Sequence, residues 1–423
     1  MDLKPVAARQ PIFDARQRVF GYELLFRSGF ENCFIFPDGD VATSRVLDSF
    51  MIEGLEALWR PQKAFINFTR NALLHGLANL LPSQTLTVEI LEEVEPDPPV
   101  IEACLELKQQ GYQIALDDVT TLEKRKPFLE LADIVKVDFA LTNERQQREI
   151  AHRLRVRGVK LLAEKVETSD QFEKAASWGY HYFQGFFFCQ PQIISAREIP
   201  AFKAAYLQLL HAVHRPELNF GEIERILRRE LSLSYRLLRY LNSPLFGLRG
   251  EVRSLRHALS LLGEQHVKRW AALLSTMLLA SDKPPELLIT SLMRACFCEL
   301  LAGPLAGKTE RADFFLLGLF SLIDAILGRP MKDILEGIPL AGEIKVSLLG
   351  GHNLHREVYE CVLAVERADW NALTQRAGKL GLQDQFVASC YVQSVEWANE
   401  VFGQQARKSA SDSPPGKRQL QTT

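Results

Sequence analysis

Seven places in the first half of the chain set a carboxylate, an amide or an ammonium at the end of a short apolar run. In order they are Glu23, Asn67, Glu89, the pair Asp117 and Asp118, Lys136, Glu164 and Gln184. The runs before them read as strands: Val19–Tyr22, Ala64–Ile66, Leu86–Val88, Ile114–Leu116, Ile134–Val135, Lys160–Ala163 and Tyr182–Phe183. Residues at the C-terminal ends of successive barrel strands meet at one mouth, where such folds do their chemistry. Converging acidic groups with one lysine and two amides form a site for hard divalent cations, which take oxygen ligands. Any one of these residues alone reads as a solvated or salt-bridged side chain. The whole set reads otherwise, because clustered carboxylates opposed only by Lys136 and Arg27 repel one another unless a cation joins them.

The elements that must carry this set alternate. Helical patterns such as Ala42–Leu55, Pro99–Gln110 and Ser169–Trp178 separate the strands, an arrangement that gives a parallel sheet covered by helices. With an opening extended segment at Val6–Phe13, eight strands are expected, and the predicted fold is a closed (β/α)8 TIM-like barrel over residues 1–195. An open doubly wound sheet is the rival, although no G-x-G-x-x-G opens a helix here. From 196 to 403 strands disappear and helix-period apolar residues take over, so an all-α domain is predicted. Residues 404–423, polar and containing Pro414-Pro415-Gly416, are expected to be a disordered tail.

Composition narrows the classes. The chain has 423 residues, 47% hydrophobic and 24% charged, with a net charge of −2. That balance provides no broad basic field for a nucleic acid polymer or a membrane surface. No apolar signal core opens the sequence, so a cytoplasmic location is expected. The cysteines are scattered and odd in number, which argues against a disulfide framework. Cys296 and Cys298 read as packed thiols on an apolar helix, with half of a metal site as the rival.

The barrel half resembles the EAL family of cyclic-di-GMP phosphodiesterases. The motifs that carry the resemblance are Gly21-Tyr22-Glu23-Leu24-Leu25-Phe26-Arg27, Phe65-Ile66-Asn67-Phe68, Glu89-Ile90-Leu91-Glu92, Asp117-Asp118, Lys136-Val137-Asp138, Ala163-Glu164-Lys165-Val166-Glu167-Thr168 and Gln184-Gly185-Phe186. The resemblance implies hydrolysis of cyclic-di-GMP to the linear dinucleotide with two Mg²⁺ or Mn²⁺ ions. It makes Glu23, Asn67, Glu89, Asp117 and Glu164 direct metal ligands, with Asp118 serving the second ion. Lys136, Glu164 and Glu23 become the catalytic residues, with Lys136 holding or polarising the attacking water. Arg27 would contact a substrate phosphate and Gln184 would lie at the floor of the site. The family's usual glycine-rich loop after the Asp pair is missing, replaced by Val119–Pro127. Without glycine that backbone has less access to positive φ, which puts turnover and metal-coupled dimerisation in question. The run Lys124-Arg125-Lys126 reads as a solvated surface run, with phosphate contact as its rival.

The second half resembles the HDOD domain, through Leu237–Gly247, Ser254–Gly263 and Phe314–Asp324. No His-Asp dipeptide occurs in the chain, so this half is expected to be a regulatory or protein-interaction module. His211 and His214, at i, i+3, read as surface or capping residues. The pairing resembles a class of bacterial signalling proteins. Two functions follow: a metal-dependent cyclic-di-GMP phosphodiesterase with an HDOD regulatory arm, or a catalytically degenerate sensor or interaction regulator. The expected partners are cyclic-di-GMP, a signalling protein bound through the helical half, and a second copy in a homodimer.

Overall fold

The computed structural model describes residues 7–26, 58–59, 61–189, 201–229 and 255–411, except 124, 156, 214, 216, 217 and 339. Arg27, Cys33, the expected helix at 42–55, Lys124, His214, the HDOD-like segment 237–247 and the last twelve residues lie outside them.

Eight strands close a barrel in sequence order. They are β1 (Ala7–Asp14), β2 (Val19–Phe26), β3 (Lys63–Phe68), β4 (Leu86–Ile90), β5 (Gln113–Leu116), β6 (Ile134–Asp138), β7 (Lys160–Glu164) and β8 (Tyr182–Gln184). Among the described residues the expected alternation holds from β3 onward, and neighbouring strands are parallel from β2 to β8. It fails at the start, where β1 runs antiparallel to both β2 and β8. The cause is the short link from Asp14 to Val19. The Asp14 side chain accepts the backbone N–H groups of Arg16 and Arg18 there, and a turn that tight can join only antiparallel strands.

Outside the barrel lie α1 (Arg70–Leu74), α2 (Pro98–Gln109), α3 (Lys126–Leu129), α4 (Glu144–Arg155) and α5 (Ser169–Trp178). Their ends follow local sequence signals. Asp97 caps α2 by accepting from Val100 N–H, with prolines at its first positions. Thr168 and Gln171 close a reciprocal capping box on α5, which stops at Gly179 in the left-handed region.

The remaining described elements are helical: α6 (Ala201–Val213), α7 (Phe220–Arg229), α8 (Leu255–Leu279), α9 (Pro285–Leu301), α10 (Lys308–Phe320), α11 (Ile323–Leu327), α12 (Met331–Gly337), α13 (Gly342–Leu348), α14 (Leu354–Glu366), α15 (Trp370–Lys379) and α16 (Asp384–Ser411). α8 breaks at Gly263, whose φ is 72°, where the sequence pattern also breaks. α16 runs to Ser411, past the expected start of the tail at 404. Gln404, Gln405, Ala406, Arg407 and Lys408 are all good helix formers, and the breakers come only at Pro414-Pro415-Gly416. Among the described residues no helix is long and apolar enough to cross a membrane.

α9 is the axis of the helical half and is buried nearly all round, Cys296 and Cys298 included. A buried helix with apolar residues on every face packs against neighbours on every side. The apolar core beneath the barrel's outer face continues without a break into this half. Polar contacts cross the same boundary. Arg9 N–H donates to the Tyr391 hydroxyl at 3.1 Å, and the Tyr22 hydroxyl donates to Glu286 at 3.0 Å.

α10 lies so close to α9 that a Cβ at Gly318 would meet the Arg294 carbonyl oxygen at 2.2 Å. Gly318→Ala is therefore expected to force the two helices apart and to lower stability by about 1–3 kcal/mol. Thermal denaturation of the variant beside the parent checks this.

Candidate active site

The site is built by period-2 geometry. Along each strand alternate side chains enter the barrel. Gly21, Phe65, Thr87, Ala115, Ile134, Leu162 and Tyr182 each precede a site residue by two positions. Phe65, Ala115, Ile134, Leu162 and Tyr182 pack with Ile12 as the floor inside the barrel. Gly21 is needed in that layer because a Cβ there would meet the Phe65 ring at 2.8 Å. One step up, Glu23, Asn67, Glu89, Asp117, Lys136, Glu164 and Gln184 form the next layer, and all are buried.

Lys136 is the hub. Its Nζ lies 2.8 Å from Asp117 Oδ1, 2.9 Å from Glu89 Oε1, 3.0 Å from Glu164 Oε1 and 3.3 Å from Glu23 Oε1. Gln184 Nε2 donates to Glu23 Oε2 at 2.6 Å, and Asn67 Nδ2 donates to Glu23 Oε1 at 3.3 Å. One ammonium faces four carboxyl groups, so ionising all four would leave excess negative charge. Burial raises the Glu89 and Glu164 carboxyls well above the usual range, and Lys136 offsets this only in part. Burial also raises Asp117, more than the pull of Lys136 lowers it. Glu23 goes the other way: burial opposes its ionisation, but Lys136, Gln184, and Asn67 hold it below the usual value. For Lys136 burial favours loss of the proton, yet Asp117, Glu164, Glu23 and Glu89 together hold it well above its ordinary value.

The donor set fits a divalent cation. Glu89 Oε2, Glu164 Oε2 and Gln184 Oε1 are buried and accept no hydrogen bond from any described residue. Oxygens left in that state have strong need of a hard cation or protons. A second group stands nearer solvent. Carboxylate oxygens of Glu92, Asp117 and Asp118 lie within 4.8 Å of one another. Asp118 is only partly buried, and burial together with the Asp117 charge raises its carboxyl to about 6. Its backbone sits at φ 46°, in the left-handed region, so the chain takes this turn without glycine at a modest cost in strain.

The sequence reading missed several contributors. Glu92 belongs to the Glu89-Ile90-Leu91-Glu92 motif, but two residues beyond the end of β4 it lies outside the strand's alternation. Asp138 follows Lys136 by two and enters the same side. Its Oδ1 accepts the Ala140 and Leu141 N–H groups at 2.6 and 3.0 Å, and Oδ2 pairs with Lys165. Lys165 also adopts a positive φ of 51°. Within the run at 124–126, Arg125 departs from the expected solvated role. Arg125 is buried, and its guanidinium donates to the carbonyl oxygens of Ile90, Leu91, Glu92 and Val94 at 3.0–3.3 Å. Five fixed donors suit that fork of acceptors. Arg125 is thus neither a solvated charge nor a phosphate contact, but fixes the loop bearing Glu92. Lys126 is exposed.

A closed barrel whose mouth gathers buried carboxylates about one lysine, joined to a helical half, is the arrangement that the resemblance to an EAL domain followed by an HDOD domain leads one to expect. The comparisons with known proteins agree. The sequence matches the EAL domain over residues 45–191 and the HDOD domain over residues 199–331. It is 34% identical to the uncharacterized protein YuxH of Bacillus subtilis, over 95% of this chain and 99% of that protein. It is also 34% identical to the cyclic di-GMP phosphodiesterase CdgJ of Vibrio cholerae, over 93% of this chain and 92% of that one. Among solved structures it is similar to the Bacillus subtilis YKUI protein, with an EAL domain, in complex with substrate c-di-GMP and calcium. That likeness is 20% identity over 54% of this chain and 72% of the other, with a TM-score of 0.37. The chain belongs to the family of proteins that join an EAL domain to an HDOD domain.

Two outcomes follow from the electrostatics. Asp118 holds its proton to about pH 6 in the folded chain against an ordinary 3.8. The folded state therefore binds more protons than the unfolded one between those values, and metal-free stability falls as pH rises through that window. Denaturant melts from pH 3.5 to 7.5 are expected to show a shallower slope in Asp118→Asn, the rest coming from Asp117, Glu89 and Glu164, which are raised as well. Lys136→Met leaves four buried carboxylates without their cation. It is expected to cost the metal-free protein about 3–5 kcal/mol at pH 7, a loss that shrinks as acid protonates the cluster. The same melts measure it.

Proposed function

We propose that this chain is a metal-dependent phosphodiesterase that hydrolyses cyclic-di-GMP to the linear dinucleotide, with the helical half acting as its regulatory and interaction arm. The observation that carries the reading is the ring of Glu23, Glu89, Asp117 and Glu164 about Lys136 in one barrel layer. The near full-length likeness to a cyclic di-GMP phosphodiesterase supports the substrate.

In this reading Glu23, Asn67, Glu89, Asp117 and Glu164 would hold one divalent ion, Mg²⁺ or Mn²⁺, and Asp118 with Asp117 and Glu92 would hold a second. Ions held there would supply neutralisation of phosphate charge and activation of a water near neutral pH. Lys136, kept protonated by its neighbours, orients that water and steadies the charge that builds on the reacting phosphate. Glu164 and Glu23, fixed by Lys136 and Gln184, hold the site's geometry through the reaction. Gln184 closes the floor against the substrate, and Arg27 supplies a forked contact to a phosphate oxygen. Residues 1–195 carry this chemistry, and residues 196–403 pass the signal to a partner protein, in a cytoplasmic homodimer.

A second reading is a receptor that binds the dinucleotide without cutting it. The observation that favours it is the fixed loop after Asp118, held by Arg125 where the family uses glycines.

Incubating the purified full-length protein with cyclic-di-GMP and Mg²⁺ or Mn²⁺, while following linear product, separates the two. The phosphodiesterase predicts metal-dependent turnover that falls by at least about a hundredfold in Glu23→Ala and Lys136→Ala. Absence of turnover, with binding that is lost in Arg27→Ala, would overturn it in favour of the receptor.

A further inference from the structure

Glu23 is tied to the helical half by an unbroken line of hydrogen bonds. Its Oε2 accepts from Gln184 Nε2 at 2.6 Å, and that same nitrogen donates its other hydrogen to Gln10 Oε1 at 3.0 Å. Gln10 lies on β1 directly opposite Glu23 in register. Its Nε2 donates onward to the Glu366 carbonyl oxygen at 3.1 Å. Glu366 is the last residue of α14, and the last carbonyls of a helix have no partner within it. Gln10, from the barrel, thus caps a helix of the other half.

The far end is anchored. The Glu366 carboxylate receives Arg294 Nε and Nη2 at 2.8 and 2.6 Å, and Arg294 also donates to the Tyr359 and Ser321 hydroxyls at 2.9 and 3.2 Å. All of these groups are buried or nearly so. A shift of α14 against α9 must therefore move the acceptor on which Gln10 depends. Gln10 has one acceptor and two donor hydrogens on a single rigid amide, so it cannot keep both bonds while one end moves.

We propose that Gln10 is a positioning residue that couples the end of α14 to Glu23, so that the helical half sets how well the barrel binds its divalent ion. The inference rests on the reading of Glu23 as a metal ligand. Linkage makes the coupling reciprocal: ion binding at Glu23 alters the protection of the α14 end, and loosening that end weakens ion binding.

The test uses the full-length protein, Mn²⁺ calorimetry, and amide hydrogen exchange in peptides spanning residues 363–369. Two variants divide the line. Gln10→Met loses both bonds. Gln10→Glu keeps an acceptor for Gln184 but has no donor for the Glu366 carbonyl. Mn²⁺ is expected to change exchange at 363–369 in the parent and in neither variant, and Gln10→Met is expected to bind Mn²⁺ roughly three- to tenfold more weakly. The proposal is overturned if Mn²⁺ leaves exchange there unchanged in the parent, or if Gln10→Glu transmits the change as the parent does. If the parent binds no Mn²⁺, the metal reading fails, and exchange at 363–369 in metal-free Glu23→Ala decides this one. A change there sustains the coupling, and identical exchange overturns it.

Discussion

The ammonium of Lys136, buried among four carboxylates, is the interaction on which the rest of the molecule turns. A charge so placed is stable only because its neighbours are oppositely charged, and they are tolerable only because it is there. The fold must therefore deliver four carboxylates, from four other strands or their ends, to within 2.8–3.3 Å of one nitrogen. A closed barrel does this without loops, since strand register alone sets the height of each side chain. The layer of Phe65, Ala115, Ile134, Leu162 and Tyr182 underneath keeps water from reaching the cluster from below. The excess of carboxyl groups over ammonium leaves a donor set suited to a hard cation.

How much of this could be read in the residues depends on periodicity. Glu23, Asn67, Glu89, Asp117, Lys136, Glu164 and Gln184 each follow an apolar run, and a period of two carries them to one layer, so the barrel and its ring were legible even though β2 and β6 run on past Glu23 and Lys136. Residues that act from loops were not. Glu92 and Arg125 lie beyond strand ends, where nothing in the local pattern fixes a direction, and a basic triplet read as surface hides one buried guanidinium. Gln10 left a faint signal as a polar residue inside the run Ala7–Phe13. Its partner on α14 is more than three hundred residues away, and no local pattern carries that information. The reversed direction of β1 was readable in principle, because five residues from Asp14 to Arg18 leave no room for a crossover helix.

Strain and charge meet at the exposed side of the mouth. Asp118 and Lys165 both hold left-handed backbone, and Lys165 is paired with buried Asp138. Positions of that kind persist only where surrounding contacts hold them. Here the Val119 N–H bond to the Lys136 carbonyl oxygen and the four carbonyl contacts of Arg125 do so. The glycine-free loop is thus a built alternative, in which a side chain supplies the rigidity that elsewhere comes from close backbone approach.

The reversed β1 has a consequence for how the two halves stand to each other. A hairpin contributes two strands to the wall with no helix between them, so the barrel is one covering layer short at that seam. The outer faces of Arg9 and Tyr22 are roofed instead by Glu286 and Tyr391 from α9 and α16. The helical half thereby occupies the berth of a missing barrel helix. A single apolar core runs through the join, so the change of sequence pattern near residue 195 is a seam in the chain and not in the folded body. Cutting there would bare an oily flank on each piece.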